Sequence, residues 1–157
     1  MMKVEFINPF VNSAFMVLER FGKVKATKGN LRLVPSPIEG KDVNTVVGVT
    51  GDVLGQVIYS MNNETALKIA TFMLMGMPVT ELDELCKSAV SEMGNIITGN
   101  AATELSENSY ICNVTPPTLF IGKDVRVSVK DSQVLVVPIL SDIGELTINI
   151  ALREADK

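Results

Sequence analysis

The sequence predicts an α+β fold, with helices packed on a mainly antiparallel sheet, built as a single domain over residues 1–157. Three observations carry this prediction. Apolar residues recur at helical spacing in three places, strand-like β-branched runs fill most of the remainder, and the order of these signals repeats weakly along the chain. With 157 residues, 46% hydrophobic and 20% charged, the chain can bury a substantial core and falls outside the disordered class.

The elements follow in order. Asn8-Pro9 reads as a helix start, with Asn as the cap and Pro at the first helical position. Phe10, Ala14, Val17, Leu18 and Phe21 then share one face, and Gly22 ends the helix. The runs "LRLVP", "NTVVGVT" and "VLGQVIYSM" read as strands, the last two paired as a hairpin through "TGDVLG". Asn62 or Asn63 caps a second helix, "ETALKIATFMLM", which stops at Gly76 before Pro78. Thr80 and Asp83, spaced as in a capping box, open a third helix from about Glu81 to Leu105. The segments "YICNV", "DVRVSV", "VLVVPI" and "ELTINIAL" complete the chain as strands.

The repeat rests on the tetrapeptide "GKDV", found at 40–43 and again at 122–125, an offset of 82. The same offset places Pro35 on Pro117 and Ile58 near "VLVVPI". This order of helix, proline, tetrapeptide and strands predicts a duplicated unit with pseudo-two-fold symmetry.

Composition removes several function classes. The net charge is −4 and the pI about 4.9. Basic residues are scattered singly, which excludes nucleic acid as a partner. The most apolar run, "IATFMLMGMPV" at 69–79, is far short of the ~20 residues a spanning helix needs. No membrane insertion is expected. The N-terminus "MMKVEFINPF" lacks the pattern of a signal peptide, which predicts a cytoplasmic protein. There is no histidine, and Cys86 and Cys112 have no metal-type spacing. Imidazole chemistry, a metal site and a cofactor of its own are therefore not expected, and both cysteines read as small buried apolar residues.

The stretch "SEMGNIITGNA", residues 91–101, places glycine and asparagine inside the best helical pattern of the chain, although both are poor helix formers. On a wheel with Leu82 at zero, Leu82, Cys86, Ala89, Met93, Ile96 and Ile97 cluster within roughly 60° and form the core face. Ser88, Glu92, Asn95 and Gly99 fall at roughly 240°, 280°, 220° and 260°, a stripe well away from that face, with Glu81 and Glu84 extending it. The stripe pairs a carboxylate with an amide one turn away, both expected to be exposed, beside a glycine that leaves room for another surface. On the wheel alone, this pattern favours an ordinary solvated face over a docking or reacting one, and Gly99 argues mildly the other way, since an idle exposed position would more cheaply hold Ala or Lys.

The segment "LDELCKSAVSEMGNIITGNAATEL" resembles the active-site helix of the CheX/CheC/FliY family of CheY-phosphate phosphatases. The family pattern is Asp or Ser, three residues, Glu, two residues, Asn, then a proline further on. Here it reads Ser88, Glu92, Asn95 and Pro116-Pro117. "TGDVLGQVIYSMNNETALKIATFML" and "VTPPTLFIGKD" resemble the CheX branch in particular. The likeness runs from about residue 40 to the C-terminus.

The resemblance implies a CheC-like fold with internal pseudo-symmetry and a phosphatase acting on a phosphorylated CheY-like response regulator. It implies Asn95 as the group that orients the attacking water and Glu92 as the partner of the regulator's active-site lysine. Ser88 and Gly99 would meet the partner, Gly99 and Gly94 by giving its loops room, and Mg²⁺ would reside in the regulator. It also implies a homodimer. Subtracting the 82-residue offset from Glu92 and Asn95 lands on Phe10 and Ser13, so a second ExxN site is not expected. Two other readings use the same residues: a non-catalytic docking module for a response regulator or flagellar switch component, and a structural dimer unit without phosphoryl chemistry.

Overall fold

The computed structural model describes residues 3–130 and 133–156; the outermost residues of the expected 1–157 domain, 1–2 and 157, lie outside that description. The chain is α+β. Its helices are α1 (Val4–Gly22), α2 (Asn63–Met73) and α3 (Glu84–Glu107). Its strands are β1 (Thr27–Lys28), β2 (Arg32–Pro35), β3 (Ile38–Glu39), β4 (Val43–Gly51), β5 (Val53–Met61), β6 (Cys112–Val114), β7 (Thr118–Ile121), β8 (Arg126–Val127), β9 (Gln133–Ser141) and β10 (Gly144–Glu154).

The main sheet runs β1-β9-β10-β5-β4-β6, with β2 also on β9 and β7 also on β4. Each of these pairings is antiparallel. Alternating side chains give the sheet two faces. Val47, Val57, Tyr59, Val137, Ile148 and Ile150 pack with the helices in the larger core. Val46, Ile58, Val134 and Ala151 point the other way and are covered by Ile38 and Val127 of the small β3–β8 sheet.

The topology is doubled. The order helix then five strands occurs twice, α1 with β1–β5 and α3 with β6–β10, separated by α2. At the centre β5 pairs with β10, while β4 and β9 flank them and carry two short edge strands each. The tetrapeptide "GKDV" does not carry this duplication. Its first copy leads into β4, whereas its second joins β7 to β8. The counterpart of β4 is β9, and their starts, Val43 and Gln133, are 90 residues apart. An offset of 82 therefore sets Ile58 of β5 against β9, one strand short of its counterpart β10.

The helix ends differ from the expected ones for local reasons. Helix α1 begins at Val4, with Pro9 inside it rather than at its first turn. Pro9 cannot donate to the carbonyl one turn back, yet the extra turn is held by tertiary contacts. Phe6 is fully buried and meets Tyr110 edge-on at 5.0 Å. Lys3 Nζ donates to Glu154 at 2.8 Å, and Tyr110 Oη donates to Glu5 at 2.8 Å. At the other end Lys23, not Gly22, takes the left-handed turn, with φ 52°, and Phe21 is 41% exposed and outside the core.

Asn62 is the cap of α2, its Oδ1 accepting from Thr65 N at 2.8 Å. The helix ends at Met73, and the turn continues through Gly76 at φ 89°. Helix α3 starts later than Glu81 because Asp83, not Thr80, is its cap, accepting from Cys86 N at 2.9 Å. Val79 just before it is tied to α2, its N–H donating to Thr71 Oγ1 at 3.1 Å.

Candidate functional site

Helix α3 buries a broad face against α1, α2 and the sheet, where it meets β4 and β6 and touches Tyr59 of β5. Val90, Gly94, Thr98, Ala101 and Leu105 are buried along with Cys86, Met93 and Ile97, whereas Leu82 and Ile96 are only half-buried. The true core direction is thus rotated by roughly 60° from the one drawn on the wheel. That rotation sets the stripe of Ser88, Glu92 and Asn95 more squarely opposite the buried face.

The two glycines have different reasons. A Cβ at Gly94 would stand 3.1 Å from Thr45 Cγ2 and 3.3 Å from Tyr59 Cδ2. Gly94 is therefore a packing residue that lets α3 approach the sheet, and it does not face a partner. Beside it, Thr98 Oγ1 donates to the Gly94 carbonyl at 2.7 Å and sits 2.8 Å from Tyr59 Oη. This buried pair fixes the rotation of the helix about its axis. At Gly99 an added Cβ would meet nothing within 4 Å.

Glu84, Lys87, Ser88, Ser91, Glu92 and Asn95 form one wall of a surface groove of about 660 Å³. The other wall is Pro117 with Leu119 and Ile121 of β7. Of the expected site residues, the groove brings together Ser88, Glu92 and Asn95 with Pro117; Gly99 lies outside it, further along α3. Glu92 and Ser88 are exposed, whereas Asn95, expected to be exposed like Glu92, is half-buried where it lines the groove with Pro117. Among the described residues, none of these three side chains has a hydrogen-bond or ion-pair partner within the chain. Lys87 and Glu84 pair at 3.2 Å on the groove wall.

The second wall is held by residues that the sequence reading did not single out. Thr115 hooks the Pro-Pro turn onto β4: its N–H donates to the Gly48 carbonyl at 2.9 Å, and its Oγ1 accepts from Gly48 N at 2.8 Å. Strand β7 pairs with β4 from Val43↔Ile121 to Val46↔Thr118. The fully buried Asn44 braces that pairing. Its Nδ2 donates to the carbonyls of Lys41 at 2.7 Å and Phe120 at 3.3 Å. Its Oδ1 accepts from Lys41 N at 2.9 Å and Ser60 Oγ at 2.8 Å.

Neither thiol belongs to the site. Burial pushes the Cys86 thiol up, with Asp83 adding to the effect, and burial also raises Cys112. Both stay protonated at neutral pH and behave as packing residues. Among the described residues, no group of three or more His, Cys, Asp or Glu is placed to hold a metal ion. No helix among them is long and apolar enough to cross a membrane.

The helices over a doubled antiparallel sheet, with this groove along α3, define a CheC-like protein. The chain superposes with a CheC-like superfamily protein from Shewanella sp. PV-4 at a TM-score of 0.86, 29% identical over 97% of this chain and 99% of that one. Residues 43–140 match the family model described as chemotaxis phosphatase CheX. The chain belongs to that family. It is 32% identical over 126 residues to the CheY-P phosphatase CheX of Thermotoga maritima, covering 80% of this chain and 81% of that protein. It also matches a structure of the CheX-CheY-BeF3-Mg²⁺ complex from Borrelia burgdorferi, at a TM-score of 0.75 and 32% identity over 97% of this chain and 100% of that one.

Proposed function

We propose that this chain hydrolyses the aspartyl phosphate of a CheY-type response regulator, presenting the α3 groove to the regulator's active site. The observation that carries the reading is the state of that groove. A half-buried amide, an exposed carboxylate and an exposed hydroxyl stand on one face of a firmly seated helix, unengaged within the chain. The curated relative from Thermotoga is a CheY-P phosphatase, and the Borrelia relative forms a complex with CheY, BeF3 and Mg²⁺.

In the proposed step a water oxygen attacks phosphorus, the bond from phosphorus to the aspartyl oxygen breaks, and the carboxylate leaves. The water's protons end on inorganic phosphate and solvent. An aspartyl phosphate is an activated mixed anhydride, so no strong base is needed. Mg²⁺ in the regulator's own site neutralises charge on the transferring group when bound. What this chain adds is orientation. The Asn95 amide both donates and accepts, so it can hold a water in line with the leaving carboxylate. Glu92, one turn away, pairs with the regulator's active-site lysine and sets the register of the two proteins. Ser88 contacts the partner at the N-terminal end of the stripe, and Gly99 leaves its loops room.

On this reading residues 1–157 act as one unit, as a homodimer, in the cytoplasm where response regulators work. The test is phosphate release from phosphorylated candidate regulators with and without the protein. The expected result is catalytic acceleration with at least one regulator in the presence of Mg²⁺. Tight binding to that regulator with no acceleration would instead make the chain a docking module.

A further inference from the structure

A second concavity lies where the C-terminal end of α1 meets α2. It encloses about 640 Å³, within the size range of ligand pockets. Leu67, Phe72, Val79 and Ile143 make its apolar lining. It shares no residue with the α3 groove.

Two features set it apart from an ordinary surface hollow. The first is Met75. This residue is 96% exposed and takes a left-handed backbone at φ 58°, a conformation unfavourable for a side chain of this size. The loop around it is not loose. Met75 N donates to Phe72 O at 3.2 Å, Gly76 N to Thr71 O at 2.9 Å and Met77 N to Leu74 O at 3.2 Å. The fold therefore holds a large apolar side chain out into water at the pocket mouth, where Phe21, 41% exposed, also lines the hollow. Exposed apolar clusters of this kind mark interaction sites, and methionine suits surfaces that adapt to a bound chain.

The second feature is charge. The charged residues lining the pocket are Arg20, Lys23 and Lys68, with no carboxylate among them, on a chain whose net charge is −4. Lys68 is pinned at 3.6 Å by Glu64. Among the described residues, Arg20 and Lys23 have no ion-pair partner within the chain. An apolar pocket with cations at its rim complements an occupant with apolar anchors and acidic neighbours. Two cations, Arg20 and Lys23, beside one apolar hollow suit a polypeptide carrying several carboxylates rather than a small apolar acid carrying one.

We infer that this pocket docks a segment of a partner protein in which large apolar side chains alternate with Asp or Glu, at a site separate from the α3 groove. The apolar anchors enter between Leu67 and Phe72, Met75 folds over them, and the carboxylates meet Arg20 and Lys23. Every residue involved lies outside the groove, so the inference stands whether or not the chain hydrolyses aspartyl phosphate.

The experiment selects binders from a random phage-displayed peptide library on the folded protein and measures them by fluorescence anisotropy. The comparison proteins are Met75→Ser and Arg20→Glu, both surface changes. The expected peptides combine acidic and large apolar residues, and lose about tenfold or more in affinity on each variant. Their chemical-shift changes should fall on α2 and the 74–79 loop. Regulator binding at the α3 groove should be unaffected by either substitution. Peptides that bind both variants as tightly as the unchanged protein, or basic peptides in place of acidic ones, would overturn the inference. So would a selection yielding no pocket binder while an apolar carboxylate such as dodecanoate fills the pocket.

Discussion

The Tyr59 hydroxyl of β5 lies 2.8 Å from Thr98 Oγ1 of α3, and this buried contact sets which face of the helix looks outward. Thr98 already donates to the Gly94 carbonyl, so the tyrosine hydroxyl is the donor to Thr98. The consequence is unequal. Tyr59→Phe leaves Thr98 with its carbonyl partner and should cost about 0.5–1.5 kcal/mol. Thr98→Val strands the tyrosine hydroxyl in the core and should cost about 1–3 kcal/mol. Urea unfolding of both variants measures the order, which the reverse ranking would refute.

The glycines of α3 should respond with opposite signs. Gly94→Val drives methyl groups against Thr45 and Tyr59 and should lower stability by about 1–3 kcal/mol. Gly99→Ala meets open space and gains helix propensity, raising stability by about 0.5–1 kcal/mol. If a partner approaches closely at Gly99, the same Ala substitution weakens regulator binding while the melting temperature rises. Thermal melts alongside regulator titrations separate the two effects.

A pH effect is predicted away from the groove. Lys41 Nζ donates to Glu145 at 2.6 Å. That bond, with a second from Thr147, holds the Glu145 carboxyl below its ordinary value of 4.5. A folded value below the unfolded one means that the contribution is present above pH 4.5 and is lost as pH falls through the folded value. Both side chains are more than a third exposed, so solvent screening keeps the effect small. Lys41→Met should flatten the decline of stability in acid, as read from unfolding midpoints across that range.

Glu92 is predicted to act in docking as well as turnover. Removing one partner of a desolvated ion pair across an interface costs about 2–5 kcal/mol, against little for a rim pair. Glu92→Ala should therefore weaken the complex with a phosphate-mimic regulator and slow hydrolysis together, by titration and by single-turnover assay. An unchanged affinity would remove the assigned ion pair.

Much of this architecture was legible from the sequence, and the failures have physical causes. The β4–β5 hairpin and the Asn62 cap are local signals and stand where local chemistry puts them. Pro9 misleads because Phe6, Tyr110 and Glu154 hold the preceding turn, and those contacts are remote in sequence. The duplication is real, but a shared tetrapeptide fixed it at an offset that the later strands do not keep. Strand β7 went unread because its four residues take strand geometry from pairing with β4, far earlier in the chain. The Ser88, Glu92 and Asn95 stripe survived a misdrawn core direction because it lies opposite the whole buried face. Of the second wall, Pro117 was implied by the family resemblance, whereas Thr115, Gly48 and Asn44 could not be read, since their roles depend on pairing between strands distant in the chain.

The most direct measurement separates the amide of Asn95 from the surface around it. Binding of a phosphate-mimic regulator and single-turnover dephosphorylation would be measured side by side for Asn95→Ala and the unchanged protein. The account predicts that the complex persists at closely similar affinity while hydrolysis at saturating protein falls to the regulator's own basal rate. A loss of affinity comparable to that of Glu92→Ala, with the saturated rate unchanged, would contradict it and make Asn95 a docking residue.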